Sequence, residues 1–148
     1  MSNYRVLQLT NTNVGAVATN DLMPYGTITR KICYGNTGSR TFDVSTTGAN
    51  TITLNETGNY RITYSASLVI GTAGVASVAL LANSSEVYEV GSTVATAGDT
   101  INLTLVYEVR VLPNCCSNPT NSPMTIQVQL TGQPTTGGTT NMLVERVY

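Results

Sequence analysis

A chain of 148 residues is the size of one domain and can bury roughly 68–70% of its unfolded surface without disulfide or metal staples. Only 10% of its residues are charged, against a typical content of about 25%, and the formal net charge is −1. The seven basic residues are scattered singly, so no stripe tracks phosphates and nucleic-acid binding is argued against; histidine, the commonest general base and transition-metal ligand, is missing.

In chain order, Tyr4 to Leu9 alternates as a short strand and Asn11-Thr12-Asn13 breaks it. Val14 to Ala18 is expected to run along a neighbour before a turn at Asn20-Asp21, and Thr27 to Tyr34 is a further extended piece ended by Gly35 to Gly38. A brief stretch at Thr41 to Val44, a loop at Thr46-Thr47-Gly48 and a strand from Asn50 to Leu54 lead to a tight connection at Asn55 to Gly58. The longest alternation follows: Tyr60, Ile62, Tyr64, Ala66, Leu68 and Ile70 share one face, and Arg61, Thr63, Ser65 and Ser67 the other. Val75 to Ala82 is nearly continuous in apolar residues and is expected to be covered on both sides, in part by a neighbouring subunit.

Glu86 to Val94 reads as a strand, Ala97-Gly98-Asp99 as a turn, and Thr100 to Leu112 as a second long alternation with Ile101, Leu103, Leu105, Tyr107, Val109 and Val111 on one face. Pro113 to Pro123 cannot hold a ladder, because its prolines lack amide donors. Thr125 to Leu130 alternates again. Gln133 to Thr140 is expected as a flexible Thr-Gly loop before a last strand from Asn141. No stretch shows helical period. The fold class is therefore all-β, a single domain over residues 1–148 built as an antiparallel two-sheet jelly-roll sandwich of about 8–10 strands.

Cys33, Cys115 and Cys116 are an odd count, and no hydrophobic signal region follows Met1, so a disulfide framework is not expected and synthesis in a cytosol is. No apolar run reaches the length of a membrane span. Aspartates and glutamates occur singly, which points to no catalytic pair, no metal site and no cofactor. Glu86 and Glu89 match no calcium-loop spacing and read as a solvated strand edge.

The order of these pieces resembles the jelly-roll superfamily of tumour necrosis factor and the complement component q globular head, especially its bacterial and phage members. The residues that carry the likeness are Gly58-Asn59-Tyr60-Arg61-Ile62, Val78 to Asn83, Ala97-Gly98-Asp99-Thr100-Ile101 and Leu143 to Val147, within residues 25–148. Asn83 is followed by Ser84 where the family has glycine. The resemblance implies a homotrimer packed through one sheet of each copy. On the residues themselves, the mild second faces of the two long ribbons suit a subunit contact: Arg61, Thr63, Ser65 and Ser67 on one, Glu108 and Arg110 on the other, with Arg146 able to pair across subunits.

The expected role is non-enzymatic and structural: a trimeric capsid decoration or head-fibre knob of a bacteriophage, made in the host cytoplasm and displayed on the virion surface. Its partners would be itself and the major capsid protein, with no nucleic acid and no membrane. Residues 1–24 are either an attachment arm, through Tyr4, Val6, Leu7 and Leu9, or the first strand of the sandwich. The alternative role is a receptor- or carbohydrate-binding head of adhesin, fibre-tip or spore-surface type, using Tyr88 and the loop residues Cys115, Cys116 and Asn118.

Overall fold

A computed structural model describes residues 5–33, 41–45, 49–112 and 123–147. Among the described residues there are ten strands and no helix: β1 (Arg5–Asn11), β2 (Thr27–Cys33), β3 (Phe42–Val44), β4 (Ile52–Leu54), β5 (Gly58–Ile70), β6 (Gly74–Ala82), β7 (Ser85–Val94), β8 (Thr100–Val111), β9 (Met124–Gly132) and β10 (Thr135–Arg146). They form two five-stranded sheets, ordered β2-β1-β10-β5-β8 (sheet A) and β3-β4-β9-β6-β7 (sheet B). Every neighbouring pair is antiparallel. The architecture is the expected jelly-roll sandwich.

The alternation sets which face of each strand meets the core. Tyr60, Ile62, Tyr64, Leu68 and Ile70 of β5 are fully buried, as are Ile126, Val128 and Leu130 of β9. Each such side chain contributes about 1.5–3 kcal/mol by leaving water. Aromatic rings lock the two layers edge to face, Phe42 against Tyr60 at 6.1 Å and Tyr25 against Tyr64 at 6.5 Å. Tyr25 also donates its hydroxyl to the Ile126 carbonyl at 3.0 Å.

β1 lies inside sheet A, paired to β10 on one side and β2 on the other. The open choice between arm and first strand is thereby decided in favour of the strand: Leu7 and Leu9 belong to the core, and Val6, on the opposite face, is buried as well. The chain then crosses from sheet A to sheet B. Val14 N–H bonds to the Gly138 carbonyl at 3.0 Å, Val17 bridges Thr135, and Met23 N–H reaches the Val128 carbonyl at 2.7 Å. Val14, Val17, Met23 and Tyr25 bury their side chains along this path.

Two expectations are corrected. Residues from Thr135 to Thr140 are strand rather than loop, because the whole of β10 pairs with β5. Gly138 permits it: at φ 144°, a Cβ there would stand 2.3 Å from the Ser67 carbonyl oxygen, so only glycine lets the backbones close. The coverage of β6 needs no second subunit either. Ala76 to Leu80 are all buried within one chain, because β6 is hydrogen-bonded to both β7 and β9. On its outer face Ser77 and Ala79 are small enough to be covered by their own cross-strand neighbours. The Gly35–Gly38 turn, the Thr46–Gly48 loop and residues 113–122 lie outside the described residues.

Candidate interaction face

The outer face of sheet A is built from the residues that alternate away from the core. On β5 these are Arg61, Thr63, Ser65, Ser67 and Val69; on β8, Asn102, Thr104, Val106, Glu108 and Arg110. Thr63, Ser65 and Ser67 sit opposite Val106, Thr104 and Asn102, and on the other side opposite Leu143, Asn141 and Thr139 of β10. The pairing of β5 with β8 runs from Gly58–Val111 to Val69–Thr100 without a register shift, so the face is regular. A shallow depression of about 370 Å³ lies at its centre, lined by Thr10, Ser65, Ser67, Asn102, Thr104 and Asn141 among others. The Asn141 side-chain oxygen accepts from Gln8 Nε2 at 3.3 Å and from Thr10 Oγ1 at 3.2 Å.

Charge is confined to one end of this face. Arg61 and Glu108 are cross-strand partners 3.7 Å apart and about half exposed, a geometry worth under ~1 kcal/mol in water. With Leu143 and Val106 on the neighbouring rung, the outward side chains around the depression carry hydroxyls and amides. Such groups both donate and accept, so the face can bond to water or to another protein surface without desolvating an ion.

The structure thus brings together Arg61, Thr63, Ser65, Ser67, Glu108 and Arg110, the residues expected at a subunit contact. Arg146 is the exception. It shares the parity of Val144 and Met142, which face inward, and its guanidinium donates to the Thr57 carbonyl at 2.8 and 3.1 Å. It therefore fastens the end of β10 to the turn before β5. Val6, Leu7 and Leu9, the apolar residues of the expected attachment segment, are buried within sheet A and present no outward surface; Tyr4 lies outside the described residues.

Of the expected ligand residues, Tyr88 is 43% exposed on β7, and Cys115, Cys116 and Asn118 lie outside the described residues. Tyr88 is stacked on Tyr107 of β8, with ring centroids 5.5 Å apart and planes 19° from parallel. One face of each ring is covered by the other. Sequence reading placed Tyr107 in the core stripe and missed this pair, because nothing in the alternation says that β7 and β8 are both edge strands that meet at one side of the sandwich.

Glu86 and Glu89 are brought onto one outer face by a β-bulge: Leu81 pairs Glu86 and Leu80 pairs Tyr88, which leaves Val87 as the extra residue. Their carboxyls interact with each other at the surface. A hydrogen bond to Glu89 holds the Glu86 carboxyl above its ordinary range, and bonds from Glu86 and then Ser77 hold that of Glu89 below it. Thr131 Oγ1 also donates to Glu89 at 3.3 Å. Among the described residues no group of three or more His, Cys, Asp or Glu is placed to hold a metal ion. Arg5, a further residue that sequence reading passed over, is buried at the end of the sandwich, where its Nε donates to Thr41 Oγ1 at 3.0 Å and meets Glu56 at 3.3 Å.

No family model and no curated protein matches this sequence. Solved structures do match it along its length. The PRD1 vertex protein P5 superposes with a TM-score of 0.62 at 16% identity, over 97% of each chain. Eiger TNF from S. frugiperda gives 0.71 at 8% identity, over 99% of this chain and 94% of that one. The globular domain of zebrafish complement 1qA gives 0.63 at 8% identity, over 97% of each. The fold is the jelly roll of the tumour necrosis factor and complement 1q heads. At these identities the likeness is one of fold, and it takes in the N-terminal strand as well as residues 25–148. No helix among the described residues is long and apolar enough to cross a membrane.

Proposed function

We propose that this chain is a non-enzymatic virion structural protein, a trimeric decoration or head-fibre knob of a bacteriophage capsid, assembled in the host cytoplasm and seated on the major capsid protein. The observation that carries the reading is the full-length likeness to a viral vertex protein, PRD1 P5. The chemistry of the sheet A face supports it. A regular face of Thr63, Ser65, Ser67, Asn102 and Thr104 can be buried between copies without stranding charges, and its few ions stand together at one end where they can pair. A two-sheet sandwich tied by antiparallel ladders suits a part whose task is to hold shape.

Three measurements test this. Light scattering on the purified chain is expected to give a mass of three chains. Sedimentation of virus particles from an infected culture is expected to carry the chain with them, and antibody against it to label particles in electron micrographs. A chain found only in the free fraction, yet retained on a glycan array through Tyr88, would sink the decoration reading in favour of a receptor- or carbohydrate-binding head.

A further inference from the structure

Tyr88 and Tyr107 stand at the side of the sandwich where both sheets end. Tyr88 pairs the inward-facing Leu80 of β6, and Tyr107 pairs the inward-facing Ile62 of β5, so both rings project between the sheets rather than onto an outer face. β7 and β8 belong to different sheets, and no ladder joins them. The two rings bridge that gap, with centroids 5.5 Å apart and planes 19° from parallel.

Of the described aromatic residues, only these two reach water. Phe42, Tyr25, Tyr60 and Tyr64 are fully buried, whereas Tyr88 is 43% exposed and Tyr107 partly buried. The sequence holds no tryptophan, whose indole would compete for a one-electron oxidant. An oxidant arriving from solvent therefore meets a phenol whose partner ring is already in contact. Such proximity favours coupling within the pair over a slower encounter with a distant ring.

We propose that Tyr88 and Tyr107 form a site of oxidative coupling, converted by peroxidase-type one-electron oxidation into an intrachain dityrosine that joins sheet A to sheet B. Each phenol loses one electron and its hydroxyl proton, giving a phenoxyl radical with spin on the ring carbons beside the oxygen. Two radicals form one Cε–Cε bond. Each bonded carbon then gives up its hydrogen as a proton while its oxygen takes one from water, which restores both aromatic rings and both hydroxyls. The pair has lost two electrons and two protons, and these reduce one hydrogen peroxide to two waters. The rings must slide and tilt for the carbons to meet. Tyr88 has that latitude, since it stands on an edge strand beside the Val87 bulge. The bond closes a loop of about 20 residues in the unfolded chain, which raises the melting midpoint by roughly 6–12 °C. Neither ring belongs to the outer face of sheet A, so the inference does not rest on the function proposed above.

The test treats the purified chain with a haem peroxidase and hydrogen peroxide. Cleavage after glutamate separates Tyr88, in the peptide Val87–Glu89, from Tyr107, in the peptide Val90–Glu108. Mass spectrometry is expected to find these two peptides joined, two hydrogens lighter than their sum, in material that runs as a single chain on a denaturing gel. Dityrosine fluorescence should accompany it, and the treated chain should melt higher. Tyr88→Phe and Tyr107→Phe each keep a ring in the stack and should abolish the joined peptide with an unchanged circular dichroism spectrum; either variant suffices if the other fails to fold. Absence of the joined peptide from oxidised wild type overturns the site, as does single-chain dityrosine of undiminished yield in a folded Phe variant. A joined peptide with an unmoved midpoint overturns the tie between the sheets.

Discussion

The turn between β6 and β7 holds strain that one substitution should release. Asn83 and Ser84 have φ of 50° and 66°, the paired left-handed conformation of a two-residue hairpin turn. Asparagine tolerates it, and here Asn83 is also pinned: its N–H bonds to the Thr125 carbonyl and its Oδ1 accepts from Thr125 N–H, both at 2.9 Å. Serine is poorly suited to the second position, where a residue with a Cβ loses roughly 1–2 kcal/mol. Ser84→Gly removes that cost and adds back roughly 0.5–1 kcal/mol of unfolded-chain entropy. The net gain is about 0.5–1 kcal/mol, a rise in melting temperature of roughly 1–4 °C for a domain of this size. Calorimetry at one fixed chain concentration measures it, since assembly makes the midpoint concentration-dependent. Ser84→Ala keeps the Cβ and should melt within a degree or so of wild type (about 0.3 kcal/mol). Ser85→Gly, one residue into β7, should lower the midpoint. A Ser84→Gly chain that melts no higher than Ser84→Ala would refute the reasoning.

The buried tyrosines should part company. Tyr25→Phe removes the bond to the Ile126 carbonyl and is expected to cost about 1–2 kcal/mol in denaturant unfolding. Tyr64→Phe removes a buried hydroxyl that has no hydrogen-bond partner among the described residues, and should be neutral or stabilising by up to about 1 kcal/mol. Burial raises the phenol pKa of both, so absorbance titration of the folded chain should show two tyrosines that resist ionisation well above the ordinary phenol range. Gly138→Ala forces a Cβ to within 2.3 Å of the Ser67 carbonyl and should destabilise by roughly 3 kcal/mol, with amide exchange rising first along β10 and β5. Carboxyl NMR should resolve the Glu86–Glu89 pair into two steps, one above and one below the ordinary range, and Glu89→Gln should return Glu86 to that range. The two members act oppositely on stability. The contribution of Glu89 is present above the unfolded carboxylate pKa and fades as pH falls through its depressed folded value. That of Glu86 is present below the unfolded pKa and fades as pH rises through its raised folded value. Stability from the pair is thus greatest in the window between the two folded values, and a single step at the ordinary pKa would contradict the interaction between the two carboxyls.

What could be read from sequence follows from which forces leave a periodic trace. β5 and β8 each bury one face, so apolar residues recur every second position and both faces are legible down to Ser65 and Thr104. The outer face of sheet A was legible for the same reason, as the complement of the core stripe. Arg146 does not share the outer face with Arg61 and Glu108, because parity along β10 decides which way it points. The first half of β10 left no apolar trace, since Thr-Thr-Gly-Gly-Thr-Thr is turn-like by composition, and its strand depends on a close approach to Ser67 some 70 positions earlier. The burial of Arg5 rests on Thr41 and Glu56, which lie 36 and 51 positions away, and no local pattern encodes such a partner. In β6 a continuous apolar run correctly implied two covered faces, but not that both covers come from its own sheet neighbours and from the opposing layer.

The low charge of the chain and the unbroken register of β5 with β8 are two sides of one arrangement. β8 is an edge strand of 12 residues, registered to β5 without a bulge, and its sequence from Thr100 to Val111 holds no proline and no lysine. Bulges, prolines and charged side chains are the devices by which isolated domains keep a long edge from pairing with stray chains, and on β8 Glu108 and Arg110 supply charge at one end alone. β7 does carry one, the bulge at Val87, and two carboxylates beside it. The stretch of β8 from Thr100 to Val106 carries no charge, so it is an aggregation hazard wherever nothing covers it, and a single added lysine at Thr104 or Val106 would be an easy remedy. Its absence makes sense if a second copy occupies the edge, since a lysine there would have to be desolvated or paired when the contact forms. Thr104→Lys therefore separates the alternatives: it should improve solubility of a chain that lives alone, and should lower the assembled mass of one that lives as the proposed trimer.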